Sequence, residues 1–219
     1  KGKNMKSIKS ALITTLLLIG GSANAAFINF SDYTATAYGN QSKTGSEVVS
    51  NSGNTFTLNG NRWVDILYGV TLTSTSILNF SVEATGLNAE LYGIAFETND
   101  TYKYGQMDNF VFFGGTQLTQ VTSENSLPSF GSYSSGDGVV NFSINVGDYF
   151  TGVFDRMVFI LDNDANQSGS VVSFSKVEVC DNALVCQQSS VIAVPEPTHI
   201  GLASLALIVM GVTRRRKKI

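Results

Sequence analysis

Asp162-x-Asp164-x-Asn166 places oxygen-bearing side chains at alternate positions with backbone carbonyls between them, a pattern that can wrap a hard cation such as Ca²⁺. It is not an EF-hand loop. Counting from Asp162, position six is Gln167 where a glycine belongs, and position twelve is Ser173 where a bidentate glutamate belongs. The same residues also suit a solvated turn in which Asp and Asn bond their own backbone. Cys180 and Cys186 are the only cysteines, and an even count behind an export signal (below) predicts a disulfide closing a small loop. Two free thiols, or half of a metal site, are the alternatives. A zinc site built on this pair lacks nitrogen partners, because the chain has a single histidine.

That histidine, His199, lies near the C-terminus, so the segment from Ala26 to Pro197 contains none. Ser-His-Asp and Cys-His hydrolases and histidine-built metal enzymes are thereby excluded together. Gly114-Gly115 and Gly136-x-Gly138 lack the lysine and following helix of a phosphate loop and read as turns. Carboxylate chemistry survives, since a glycosidase needs only two acids about 5 to 10 Å apart. No pair among the seventeen acids stands out, and the body is expected to be non-catalytic. Its aromatics offer another chemistry, stacking on sugar rings. Among Tyr38, Trp63, Tyr68, Tyr92, Tyr102, Tyr104 and Tyr133, the pair Tyr102 and Tyr104 flanks Lys103 on a predicted loop and is the candidate glycan-binding group. Aromatics in strands read instead as core.

The elements that must position these residues are strands. Leu78, Phe80 and Val82 alternate with Asn79, Ser81 and Glu83, and Val140, Phe142, Ile144 and Val146 alternate with Asn141, Ser143 and Asn145. Period-two alternation marks strands with one wet face. Leu91 to Phe96, Phe110 to Phe113 and Met157 to Leu161 are continuously apolar, as central strands buried on both sides should be. Phe27 to Phe30 is expected to open the first strand, with Tyr33 to Tyr38 continuing it or pairing with it. A loop over Gly39 to Asn54 holds one edge strand near Val48. Asn59-Gly60 reads as a hairpin turn. In Val171 to Val179 the apolar parity changes between Phe174 and Val177, which predicts a β-bulge near Ser175-Lys176. No long helix-period segment occurs between residues 27 and 190. The fold expected is all-β, an antiparallel β-sandwich of jelly-roll type over residues 26 to 186, with a closed barrel as the competing architecture.

The whole-chain charge of −3 conceals an acidic body. Between Ala26 and Pro197 only Lys43, Arg62, Lys103, Arg156 and Lys176 are basic, against all seventeen acids, which leaves −12. Such a segment lacks the basic footprint that nucleic acid demands.

Both ends are apolar. Lys6 and Lys9 precede the run Ala11 to Gly20, and Ala23-Asn24-Ala25 supplies the small residues read by signal peptidase, with Met5 as the expected start and cleavage after Ala25. At the C-terminus, a linker over 187 to 193 leads to Val194-Pro195-Glu196-Pro197. Sixteen uncharged residues from Thr198 to Thr213 follow, then Arg214-Arg215-Arg216-Lys217-Lys218. As a helix those sixteen span about 24 Å, marginal for a hydrocarbon core of about 30 Å, and the basic cluster stops translocation at the inner membrane. Pro195 and Pro197 hold the motif extended. The Pro-Glu-Pro motif, short apolar helix and Arg-rich terminus resemble the PEP-CTERM sorting signal of Gram-negative bacteria. The resemblance covers roughly the last 26 residues. It implies that Pro195, Glu196 and Pro197 are read by an exosortase, an integral-membrane transpeptidase-like protease, which passes the protein to the cell surface or an extracellular polysaccharide matrix. It implies nothing about the body. A surface or matrix protein with a glycan-binding sandwich is the expected function; a purely structural protein on a plain membrane anchor and a carboxylate glycosidase are the alternatives.

Overall fold

The computed structural model describes residues 26 to 189, with side chains described through 186. The signal segment with Ala23 and Ala25, the sorting motif, the apolar C-terminal segment and its basic cluster lie outside the described residues, as does most of the linker. Among the described residues no helix is long and apolar enough to cross a membrane.

The fold is a curled antiparallel sheet organised around one long strand, β3 (Thr55–Ile66). Along one edge of β3 run β1 (Ala35–Ala37) and β2 (Thr44–Ser50); along the other run β10 (Arg156–Asp162) and β11 (Ser170–Cys180). The two halves of β3 then part into two layers. Layer A adds β6 (Leu91–Glu97) and β7 (Phe110–Gly114) beyond β10, and layer B adds β5 (Ile77–Gly86) and β8 (Val140–Ile144) beyond β11. Two short strands, β4 (Val70–Leu72) and β9 (Gly152–Phe154), pair separately. Two short helices, α1 (Leu118–Glu124) and α2 (Ala183–Ser189), complete the described elements, the second running into the expected linker.

The hairpin expected at Asn59-Gly60 is absent, because β3 continues through it. A type I′ turn needs positive φ at both central residues, and of these two only Gly60 has it, at 91°. Gly60 instead meets Gly45 (φ 87°) where the layers diverge, and a Cβ on Gly45 would lie 1.7 Å from the Asn59 carbonyl oxygen. The glycine there permits a close approach of two paired strands and is not in a turn. Phe27 to Phe30 also departs from expectation. Ile28 N–H donates to Val177 O at 2.7 Å, but the segment leads into a 3₁₀ turn at Phe30–Asp32. The bulge in β11 falls where parity placed it, with the register shifting between Ser175 and Glu178 and Lys176 at φ 51°.

Between the layers, side chains of alternating parity meet. Phe56, Phe80, Phe113, Phe159 and Phe174 are all buried there, and rings cross from layer to layer at 5.1 Å (Phe159 to Phe174) and 5.0 Å (Phe80 to Phe113). Each such pair contributes about 0.5–1.5 kcal/mol beyond its buried area. A strap over 127 to 138 spans the side where β7 and β8 face one another. Tyr133 N–H donates to Phe113 O at 2.9 Å, and its hydroxyl accepts from Ala84 N–H at 2.6 Å, so one residue ties layer A to layer B.

Layer A is buried on both faces. Its outer face carries Trp63, Ala95, Phe110, Phe112, Val158 and Ile160 under Leu118 and Val121 of α1 and the loop residues Tyr102 and Met107. This explains the continuous apolar runs of β6, β7 and β10. Toward one end of that face Asp65 is wholly buried, paired with Arg156 and accepting a hydrogen bond from the Thr36 hydroxyl.

Candidate functional site

The polar end of layer A's outer face gathers three carboxylates. Asp162 ends β10 opposite Leu91, and Glu90 N–H donates to Asp162 O at 2.8 Å, so strand pairing itself sets Glu90 beside Asp162. Oxygens of Glu90, Asp162 and Asp164 all lie within 4.8 Å of one another. Neutral donors brace each one. Trp63 Nε1–H donates to Asp162 at 3.2 Å, Asn61 Nδ2 to Asp164 at 2.6 Å, and Gln117 Nε2 to Glu90 at 2.6 Å. Burial, and then the charge of Asp164, push the Asp162 carboxyl from 3.8 up to about 6, against the Trp63 hydrogen bond that favours its charged form. Desolvation plus like charge is the setting in which a carboxylate takes a proton or a cation.

Sequence spacing brought Asp162 and Asp164 to this place, with Asn166 in the turn that follows. Its amide nitrogen donates to Asn163 Oδ1 at 3.4 Å, and Gln167 follows at φ 57°. Glu90 joins the two aspartates. It lies 72 positions upstream of Asp162 in the chain, so no local motif announces it; only the β6–β10 register does.

The paired tyrosines part. Tyr102 packs edge-on against Trp63, ring centroids 5.1 Å apart, half-buried over layer A. Burial first, then Asp162, push its hydroxyl up to about 12. Tyr102 thus lies beside Trp63, whose indole bonds Asp162. Tyr104 is 53% exposed and its hydroxyl donates to Glu124.

Layer B presents a different surface. Strand register aligns its outward side chains in rows: Ser46, Asn59, Val171 and Thr85; then Val48, Thr57, Ser173 and Glu83; then Ser50, Thr55, Ser175, Ser81 and Asn141. Hydroxyls and amides therefore recur about every 4.8 Å across the strands. Some bond one another, as Thr57 with Ser173 at 2.8 Å and Ser81 with Asn141 at 2.5 Å. At the β8 end two depressions share Ser143. One, of about 260 Å³, lies between Phe27, Asn79, Asn141 and Lys176; the other, of about 340 Å³, lies between Phe130, Asn145, Asp148 and Tyr149. Phe27 is 39% and Tyr149 55% exposed, an aromatic on either side of Ser143. Sequence reasoning missed both, since a single aromatic beside a strand carries no pattern.

Comparison with known proteins is sparse. No family model matches the chain, and no curated protein matches it. Solved structures similar to it include a variant of a family 29 carbohydrate-binding module (16% identity over 71% of this chain and 82% of that one, TM-score 0.39). A family 30 carbohydrate-binding module from a Clostridium thermocellum cellulosomal cellulase is similar at 14% identity (73% and 98%, TM-score 0.38). The glycoside hydrolase domain of Endo-D from Streptococcus pneumoniae is similar at 15% (69% and 22%, TM-score 0.40). Likenesses this loose do not assign a ligand to the chain.

Proposed function

We propose that this chain is an exported surface or matrix protein whose β-domain binds polysaccharide, without catalysis, through the outer face of layer B. The observation that carries the reading is the contrast between that face and its opposite number. Five strands hold Ser, Thr and Asn side chains in register toward solvent, with exposed aromatics at one rim, while the other layer is covered. Such a surface offers donors and acceptors of both kinds at regular spacing and little charge, which suits the hydroxyl groups of a sugar polymer. The body's acidity turns nucleic acid away.

Delivery rests on the two ends. Signal peptidase removes residues 1 to 25, the C-terminal helix holds the precursor in the inner membrane, and an exosortase-type protease reads Pro195-Glu196-Pro197 before release to the cell surface or matrix. Replacing those three residues by alanine should stop the size change in a host that carries the enzyme; unchanged processing would leave a plain anchor instead. Glu90, Asp162 and Asp164 hold Ca²⁺ as a structural brace.

Affinity electrophoresis through gels cast with the host's exopolysaccharide tests the binding reading. Retardation is expected, and it should be lost when Thr57→Lys and Ser173→Lys crowd the middle of the face. Equal mobility in all gels returns the protein to a purely structural role. The carboxylate cluster is the one place where a glycosidase reading has geometry behind it, because Asp162 is poised to hold a proton near pH 6. Release of reducing ends from the same polysaccharide, abolished by Asp162→Asn, would move the function there.

A further inference from the structure

Glu178 is a charged side chain in an unusual place. It follows the β11 bulge, pairs in register with Asn79, and is only 4% exposed. Its Oε1 accepts from Asn79 Nδ2 at 2.9 Å. Its Oε2 is buried with no hydrogen-bond partner among the described residues, and so is Asn79 Oδ1. A buried acceptor without a donor loses its hydration without compensation, more so when charged, so two together need an explanation.

The neighbours supply one. An oxygen of the Glu178 carboxylate and the sulfurs of Cys180 and Cys186 all lie within 4.8 Å of one another. The cysteines are joined in a disulfide, with Cα atoms 5.4 Å apart, which fastens α2 to the end of β11. Bonded to each other, the two sulfurs carry no charge and bind metal poorly. We propose that reduction converts this corner into a site for a thiophilic divalent cation of the Zn²⁺ class, with Cys180, Cys186 and Glu178 as ligands. Two equivalents of an external thiol supply two electrons and two protons, leave as their own disulfide, and generate two cysteine thiols. Binding of the cation then displaces both thiol protons to solvent. Two thiolates and one carboxylate form a three-ligand set that suits Zn²⁺ with one position to spare. Asn79, whose amide bonds Glu178 and whose Oδ1 is without a donor, is a candidate for it.

The chain has a single histidine, so a zinc site on this cysteine pair lacks nitrogen partners; the tertiary structure supplies instead a carboxylate that local sequence does not advertise as a ligand. The consequence is mechanical: α2, which leads toward the sorting segment, remains fastened to the β-domain by a disulfide when oxidised and by a metal when reduced.

The test uses the purified full chain, reduced anaerobically, freed of reductant and titrated with Co²⁺ as a spectroscopic stand-in for Zn²⁺. Reduced protein should bind one equivalent with a thiolate-to-cobalt charge-transfer band that Zn²⁺ abolishes, and oxidised protein should show no band. Glu178→Gln, which keeps both thiols, should weaken Co²⁺ binding at least tenfold, and Zn²⁺ should raise the melting temperature of reduced wild type but not of this variant. Trp63 fluorescence reports whether the β-domain stays folded on reduction. The proposal is overturned if the folded, reduced protein gives no band, if Glu178→Gln binds as tightly as wild type, or if reduction alone unfolds the domain.

Discussion

The outer faces of the two layers are built from the same kind of strand and end in opposite environments. In layer A, Val158 and Ile160 of β10 and Phe110 and Phe112 of β7 turn outward into an apolar cluster roofed by α1 and the loop bearing Tyr102 and Met107. In layer B, the equivalent outward positions are Ser173, Ser175, Ser81 and Glu83, and they face solvent or one another. Both layers share the same interlayer core, so the difference lies entirely in the second parity of each strand. A strand covered on both sides needs apolar side chains at every position; a strand with one side in solvent needs only alternate ones. The polysaccharide-binding proposal rests on this contrast, with the carboxylate cluster as a polar feature at layer A's end.

The covered and open faces should respond differently to substitution. Trp63→Ala removes the largest side chain of layer A's roofed face and should cost about 3–5 kcal/mol in urea unfolding. A loss under 1 kcal/mol would mean that the roof is not a second core. Arg156→Ala leaves Asp65 buried without its counter-ion and should cost about 3 kcal/mol, with part recovered when Asp65→Asn is added. Full additivity of the two changes would show the pair to be uncoupled.

Calcium should raise the melting temperature by several degrees, corresponding to about 2 kcal/mol at saturating ion, and chelator should reverse it. Asp162→Asn should abolish the shift. Without calcium, pH dependence takes a definite sign. The Asp162 carboxyl titrates near 6 in the folded protein against 3.8 as its ordinary value, so the folded state retains a proton that the unfolded chain has released. Its stabilising contribution is complete below about pH 4, on the order of 3 kcal/mol, and is lost as pH rises through 6. Chelated wild type should accordingly lose stability over that window relative to Asp162→Asn. Parallel profiles would remove the raised carboxyl from the account. Smallest of all, Ser173→Ala on layer B should change stability by no more than about 0.5 kcal/mol while weakening retardation by polysaccharide.

Much of this architecture was legible because burial writes itself into periodicity. The runs Leu91 to Phe96 and Met157 to Leu161 announced strands covered on both sides, Leu78 to Glu83 announced a strand with one open side, and the parity change after Phe174 announced the bulge at Lys176. Asn59-Gly60 is ambiguous, because a glycine with positive φ serves equally a hairpin turn and an unusually close approach of two paired strands. Which of these occurs depends on Gly45, a residue with no local tie to Gly60.

Strand content, the antiparallel pattern, the acidic body without histidine and the two cysteines were determined by the amino-acid sequence alone, since each follows from residue type and short-range spacing. That Glu90 joins Asp162 and Asp164, that Glu178 lies beside the disulfide, and that layer B stays open while layer A is covered emerge once the strands have paired. Those depend on which strands become neighbours, and strand pairing is selected by burial of the whole core, a sum over distant residues that no local window contains.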